Sequence, residues 1–257
     1  MVCYIEKENQ NKIAPLFKDW NETLIWSCLQ GCMGNAWADS AEHPESAQIV
    51  IADFCFYAGE INCDLAAHKP AGLAQDFIIM VPQNAAWAAE IERIYGERAR
   101  AVTRYAVKKE PDIFDIAYLT AIVENIDEEY QLKLIDEKLF GMALAERWSK
   151  DLCSQFSDYE DYAKRGIGVV ALYKDEIAAG ASSYTVYRQG IEIEIDTKEE
   201  HRRKGLALSC GAKLILECLK RGLYPSWDAQ NPASVSLAEK LGYHVDHAYA
   251  AYEITNY

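Results

Sequence analysis

The chain has 257 residues, half of them hydrophobic, which is enough for two domains or one elaborated domain with a real core and excludes disorder. With 40 acidic against 26 basic side chains it carries a formal net charge of -14. That surface repels a phosphate backbone, so nucleic acid is excluded as a natural partner and cationic or amine-bearing partners are favoured.

The opening MVCYIEKENQ lacks the basic region and apolar core of a signal peptide, and no run of about 18 apolar residues occurs. The expectation is a cytoplasmic protein with no membrane partner. The eight cysteines are scattered, with no CxxC pair and no histidine at ligand spacing, so no metal is expected. Most of them read as small buried apolar residues in a reducing compartment. Cys28 and Cys32, four apart on one helix, leave a minor redox reading that requires a lowered thiol pKa.

In chain order, the apolar spacing predicts a helix over 12–32 carrying Trp20 and Trp26, then strand-like runs in QIVIADFCFYAGE and DFIIMVP. An amphipathic helix over 84–98, the strand-like RAVTRYAVKK and a mainly helical segment over 111–128 complete an α/β first part, 1–128. Within it Arg98, Arg100, Arg104, Lys108 and Lys109 form a second basic concentration, read as the outer face of a strand and its flanks or, as the rarer alternative, as part of a cofactor or substrate site. Trp20, Trp26, Trp37 and Trp87 read as core.

The second part, 129–257, opens with YQLKLID as a strand and a helix over 137–148. Lys174, Asp175 and Glu176 interrupt the apolar runs GIGVVALY and IAAGASSYTVY, the pattern of a hairpin. IEIEID then alternates strictly, placing Ile191, Ile193 and Ile195 on one face and Glu192, Glu194 and Asp196 on the other. After Thr197 comes HRRKGLA, and a helical pattern with Leu206, Cys210, Leu214 and Cys218 follows until Gly222.

HRRKGLA is therefore a strand-to-helix turn. The first N–H groups of a helix lack intrahelical partners and sit at the positive end of its dipole, so such a turn is a ready anion site. Gly205 lets a phosphate approach the backbone, Ala207 keeps the next turn small, and the basic side chains add charge. A diphosphate explains this cluster inside an acidic chain better than a solvated turn does.

Arg202-Arg203-Lys204-Gly205-Leu206-Ala207 resembles the Arg/Gln-x-x-Gly-x-Gly/Ala signature of the GCN5-related N-acetyltransferases. WDAQNPASVSLAEKLGY is similar to a later motif of that family, with Asn231, Leu237, Lys240, Gly242 and Tyr243 in matching places. More narrowly, IDTKEEHRRKGLA with YPSWDAQN and LAEKLGY resembles the group that includes zwittermicin A resistance proteins.

The resemblance implies an α/β (α+β) chain in which a central mixed, mostly antiparallel sheet flanked by helices follows an N-terminal α/β domain. It implies acetyl-CoA as co-substrate. Ile195, Asp196 and Thr197 would hold the pantetheine arm, and Arg202, Arg203, Lys204, Gly205, Leu206 and Ala207 the pyrophosphate. Asn231, with Ser234 in the place of the motif's alanine, would approach from the other side.

Attack of a neutral amine on a thioester needs a base, and Glu194, Glu192 and Asp228 are the candidates in that order. Tyr184, Tyr187 and Trp227 are candidates for an acceptor wall, with core packing the commoner role for each. Ala238 stands where many relatives carry the tyrosine that protonates the thiolate, which leaves Ser234, Ser236, Tyr243 or solvent. The expected function is acetyl transfer to a primary amine of a small molecule, an antibiotic among the candidates. The alternatives are a non-catalytic acyl-CoA-binding or regulatory module and an acyltransferase acting on a protein amine. A homodimer is left open.

Overall fold

The computed structural model describes residues 2–73 and 75–257. In chain order its elements begin with β1 (Cys3–Ile5), α1 (Thr23–Leu29), β2 (Asn35–Ala38), β3 (Ser46–Ile51), β4 (Phe54–Gly59), α2 (Cys63–Ala66), β5 (Phe77–Pro82), α3 (Ala85–Tyr95) and β6 (Ala99–Val107). They continue with α4 (Ile116–Glu124), β7 (Tyr130–Leu134), α5 (Glu137–Ala145), α6 (Tyr159–Arg165), β8 (Gly168–Tyr173), β9 (Glu176–Tyr187) and β10 (Gly190–Thr197). Last come α7 (Leu206–Lys220), β11 (Tyr224–Ser226), β12 (Asp228–Ala229), α8 (Pro232–Lys240) and β13 (Val245–Thr255). Among the described residues no helix is long and apolar enough to cross a membrane.

The chain forms two compact units, Met1–Arg104 with Ala248–Tyr257, and Tyr105–His247. Sequence reading draws its line at 128/129, yet residues 105–128 fall in the second unit and 248–257 in the first. The apolar alternation of YAAYEI looks the same whichever sheet takes it, so a strand that returns to the first unit leaves no mark in the pattern.

In the first unit the strands are ordered β1-β2-β3-β4-β5-β13-β6. QIVIADFCFYAGE is a tight β3–β4 hairpin, with Ile51 opposite Phe54 and Ala52 at φ 52° in the turn. Its core gathers Tyr57, Met80, Trp87, Ile91 and Tyr252. Trp87 stacks on Tyr57 and donates its indole N–H to the Gly59 carbonyl at 2.9 Å. The helix expected over 12–32 is broken: a 3-10 turn at Ala14–Phe17 takes Pro15 in its first turn, Asp19 has φ 66°, and only Thr23–Leu29 is α-helical. The basic residues here serve structure. Arg98 donates to the Asn256 carbonyl, Arg100 pairs with Glu253, and Arg104 lies over the Phe54 ring. Burial pushes the Cys28 thiol up to about 12, the opposite of what a redox thiol needs.

The second unit is built on a mixed sheet ordered β11-β10-β9-β8-β7, antiparallel except for the β10–β11 pair. The β8–β9 hairpin turns on Lys174 and Asp175, both at positive φ, as a two-residue primed turn requires. Helix α7 covers one face of this sheet and buries Leu206, Cys210, Leu214 and Cys218, the stripe its spacing specifies. The 3-10 turn Lys150–Leu152 lies against the other face, where Leu152 fills the space beside Gly180.

Candidate functional site

The site is defined by the place where two strands part. Parallel β10 and β11 pair only over Gly190–Tyr224, Ile191–Pro225 and Glu192–Ser226. Beyond Ser226 the chain leaves, and β12 pairs instead with Tyr105 and Ala106 of β6. On its other side β10 stays paired with β9 out to Thr197. Ile193 to Thr197 therefore form a strand with one edge opened, and an open edge offers backbone donors and acceptors to an extended chain.

Ile195 points toward α7, close to Gly211, so the isoleucine face of β10 is the packed one. The acidic face is opposite. The register on β9 slips at Tyr184, between the Glu192–Thr185 and Ile193–Ser183 pairs, while the alternation along β10 is kept. Glu194 stands opposite Ser182, whose hydroxyl is 2.8 Å from that of Tyr162, and is partly exposed. Glu192 is deeper, flanked by Thr185 and Ser226, whose hydroxyl oxygens are both buried with no hydrogen-bond partner. The base of the fork is therefore polar. Asp228, partly exposed, opens β12 opposite Ala106 of β6.

From this open edge the chain enters the turn. The half-buried Asp196 carboxylate accepts from the Thr197 amide at 2.6 Å, and burial raises its pKa from the ordinary value. The Arg202 Nε donates to the Thr197 carbonyl at 3.2 Å, which folds the loop back on the strand end. Arg203 is exposed with φ 66°. Lys204 donates to the Tyr130 hydroxyl at 3.0 Å, and that oxygen lies 2.9 Å from His201 Nδ1. This hydrogen bond pushes the Lys204 pKa up. The Tyr130 hydroxyl thus lies between Lys204 and His201 and ties the turn to β7.

Gly205 caps α7 from the left-handed region, φ 80° and ψ 1°, and a Cβ there would meet nothing within 4 Å. The other α-helices of the described residues each have a side-chain oxygen at the N-cap, from Glu22, Asn62, Asn84, Asp115, Asp136, Asp158 and Asn231. Helix α7 alone has none. Its first amides, at Leu206, Ala207 and Leu208, are thus left to solvent or to an anion. Arg202, Arg203 and Lys204 are all exposed ahead of this uncapped helix entry, as the sequence marks.

The remaining candidates are spread differently. The Asn231 carboxamide caps α8 by accepting from the Ser234 amide at 2.9 Å, and the Ser234 hydroxyl accepts from the Trp227 indole at 3.1 Å. Tyr184, Tyr187 and Trp227 are buried, as core residues are. Tyr243 donates to the Pro225 carbonyl at 2.7 Å, and burial raises its pKa well above the ordinary value, so its proton is held there. Sequence reasoning does not reach the Tyr130–His201–Lys204 link or the Thr185 and Ser226 hydroxyls beside Glu192. These are contacts across strands and carry no spacing signal.

The opened edge of β10 thus feeds a basic, glycine-capped helix entry. The chain belongs to the GNAT acetyltransferase family, whose model matches residues 14–252. It is similar to a GCN5-related N-acetyltransferase-like protein from Streptococcus suis 89/1591, 46% identical, with a TM-score of 0.91 over 96% of this chain and 98% of that one. An uncharacterised N-acetyltransferase of Bacillus subtilis, YdfB, is 24% identical over 96% of this chain and 97% of its own. A GCN5-related N-acetyltransferase from Sphaerobacter thermophilus, 12% identical, shares the fold at a TM-score of 0.59 over 99% of this chain and 95% of that one. The protein is an N-acetyltransferase of a family that generally uses acetyl-CoA and acts on small-molecule or protein amines.

Proposed function

We propose that this enzyme moves an acetyl group from acetyl-CoA to a primary amine of a small molecule, with the thioester in the fork between β10 and β12. The observation that carries the reading is the early end of the β10–β11 pairing, which frees the Ile193–Thr197 edge directly before the uncapped entry of α7. On this reading Ile195, Asp196 and Thr197 hold the pantetheine arm by their backbone, the amides from Gly205 to Leu208 hold the diphosphate, and Arg202 and Arg203 add charge. Asn231 and Ser234 act from the far side as the fixed start of α8.

Acetyl-CoA supplies an activated acyl carbon. The attacking amine must be neutral and must lose a proton as the C–N bond forms. Glu194, partly exposed on the acidic face of β10, takes that proton directly or through a water, and Glu192, at the buried end of the same face, is the second candidate for the base. Asp228 closes the acidic surround from β12. The coenzyme A thiolate leaves without a tyrosine acid, because Ala238 occupies that position and the Tyr243 proton is bound to Pro225. A net charge of -14 and an acidic cleft both favour a cationic acceptor. Amine-bearing antibiotics belong to that class.

The test is release of free thiol from acetyl-CoA over a panel of polyamines, amino sugars, amine-bearing antibiotics and peptides with free amino termini. Turnover confined to small amines is expected. Turnover with the peptides alone would replace this acceptor by a protein amine.

A further inference from the structure

The first strands of the two units are laid out in the same way. In the second unit β7, β8, β9 and β10 pair antiparallel in chain order, and β11 joins β10 parallel. In the first unit β1, β2, β3 and β4 pair antiparallel in chain order, and β5 joins β4 parallel. The helices agree as well. Helix α1 in one unit and α5 with α6 in the other follow the first strand, α2 and α7 lie between the strands of the parallel pair, and α3 and α8 come after it. The first unit thus repeats the layout of the second, and it differs where the second unit opens.

Strand β10 runs on from Ile193 to Thr197 beyond its last pair with β11. Strand β4 has only Ala58 and Gly59 beyond the Tyr57–Pro82 pair, and Gly59, at φ 84°, turns the chain off the strand. Both backbone groups of Gly59 are taken by side chains that come from just after β5. Its N–H donates to Gln83 Oε1 at 3.0 Å, and its carbonyl accepts from Trp87 Nε1 at 2.9 Å. The Gln83 amide prolongs the pair by donating to the Tyr57 carbonyl at 3.1 Å, and Gln83 Nε2 donates to the Leu16 carbonyl at 2.7 Å. The turn that follows, Glu60-Ile61-Asn62, has no basic residue and leads into α2, four residues long, whose start is capped by Asn62. Where α7 has a basic run and an uncapped entry, the first unit has Glu60 and Asp64, and these repel a diphosphate.

We propose that the first unit is a closed repeat of the acetyl-transfer fold, in which the Gln83 carboxamide takes the strand edge that an extended ligand would take, so that each chain carries a single coenzyme A site. The proposal rests on the reading of the β10 edge and the α7 turn as that site. A carboxamide is fitted to this place because it presents one carbonyl acceptor and an N–H donor, the same pair that an extended amide ligand offers to a strand edge.

Titration calorimetry of the full chain with coenzyme A, and hydrogen exchange with and without it, test this. Wild type is expected to take up one equivalent, and coenzyme A to slow exchange over 193–208 and not over 58–65. Gln83→Met, which keeps the length of the side chain and removes its acceptor, should speed exchange of the Gly59 amide by about fivefold or more, as the loss of one hydrogen bond allows, and leave the bound equivalent and kcat unchanged. Gln83→Glu keeps the acceptor and should match wild type at Gly59. A second equivalent of coenzyme A, or protection over 58–65, overturns the closed repeat. Exchange at Gly59 that Gln83→Met leaves unchanged, or that both variants speed alike, overturns it too. Gly205→Glu separates this failure from that of the site in the second unit. If one equivalent survives that change and still protects 193–197, the α7 turn is misread and the closed repeat stands. If the surviving equivalent protects 58–65 instead, both readings fail.

Discussion

Replacing Gly205 separates strain from charge at the entry of α7. The residue sits at φ 80° and ψ 1°, where an L side chain costs roughly 1–2 kcal/mol, and a Cβ there meets no atom within 4 Å. Gly205→Ala therefore pays the conformational cost and little else, a fall in melting temperature of about 2–4 °C per kcal/mol for a unit of this size. Gly205→Glu carries the same strain and adds a carboxylate where the diphosphate is proposed to lie. Two like charges at about 4 Å repel by about 1 kcal/mol in water and about 4 kcal/mol at an effective dielectric of 20, or fivefold to a thousandfold in affinity. The expected result is two variants of equal melting temperature, of which the glutamate form binds coenzyme A at least fivefold more weakly than the alanine form. The comparison needs scanning calorimetry for stability and titration calorimetry for binding. Affinities that agree within twofold would refute the placement of the diphosphate against these amides.

Glu194→Gln is expected to lower kcat at least tenfold with little change in acetyl-CoA affinity, and to flatten the rising limb of the pH–rate profile, since general-base help is worth about 10² to 10⁴ in rate. Wild-type kcat would move the role to Glu192 or Asp228. Tyr130→Phe removes the oxygen that holds Lys204 and faces His201, so KM for acetyl-CoA should rise several-fold while kcat stays; an unchanged KM would show the link to be idle. Asp196 has its pKa raised by burial, so the folded state binds its proton more tightly than the unfolded state does. Its contribution is lost as pH rises through the raised value. Asp196→Asn keeps the acceptor for the Thr197 amide and should be more stable than wild type at pH 7 and equal to it at pH 3; denaturation at the two pH values decides.

The site was legible in the sequence to the extent that it is local. The alternation of IEIEID, the basic turn and the α7 stripe at Leu206, Cys210, Leu214 and Cys218 fix a strand, a glycine-capped entry and a buried helix face without reference to the rest of the chain. Asn231 was equally readable as a cap, because Asn-Pro specifies its own helix start. What stayed hidden depends on partners distant in sequence. Nothing in YPSWDA says that Ser226 pairs with Glu192 while Asp228 pairs with Ala106, and that change of partner is what opens the fork. The 12–32 region shows the opposite failure. Its apolar spacing continues across Pro15 and Asp19, and the backbone, which cannot, breaks the helix there.

The last strand has a consequence for how the protein comes to be made. Strand β5, FIIMVP, is flanked on one side by β4 and on the other by Tyr252–Thr255 of β13, which are synthesised only after the whole of the second unit. A nascent chain emerging from the ribosome thus holds an almost wholly apolar edge for most of its translation, the kind of edge that recruits strands from other molecules. The unit translated first is closed last. Ribosomes stalled or terminated before residue 248 would release a chain whose second unit has all of its residues but whose first unit is sticky, and folding during synthesis would depend on a chaperone or on rapid elongation to shield that edge.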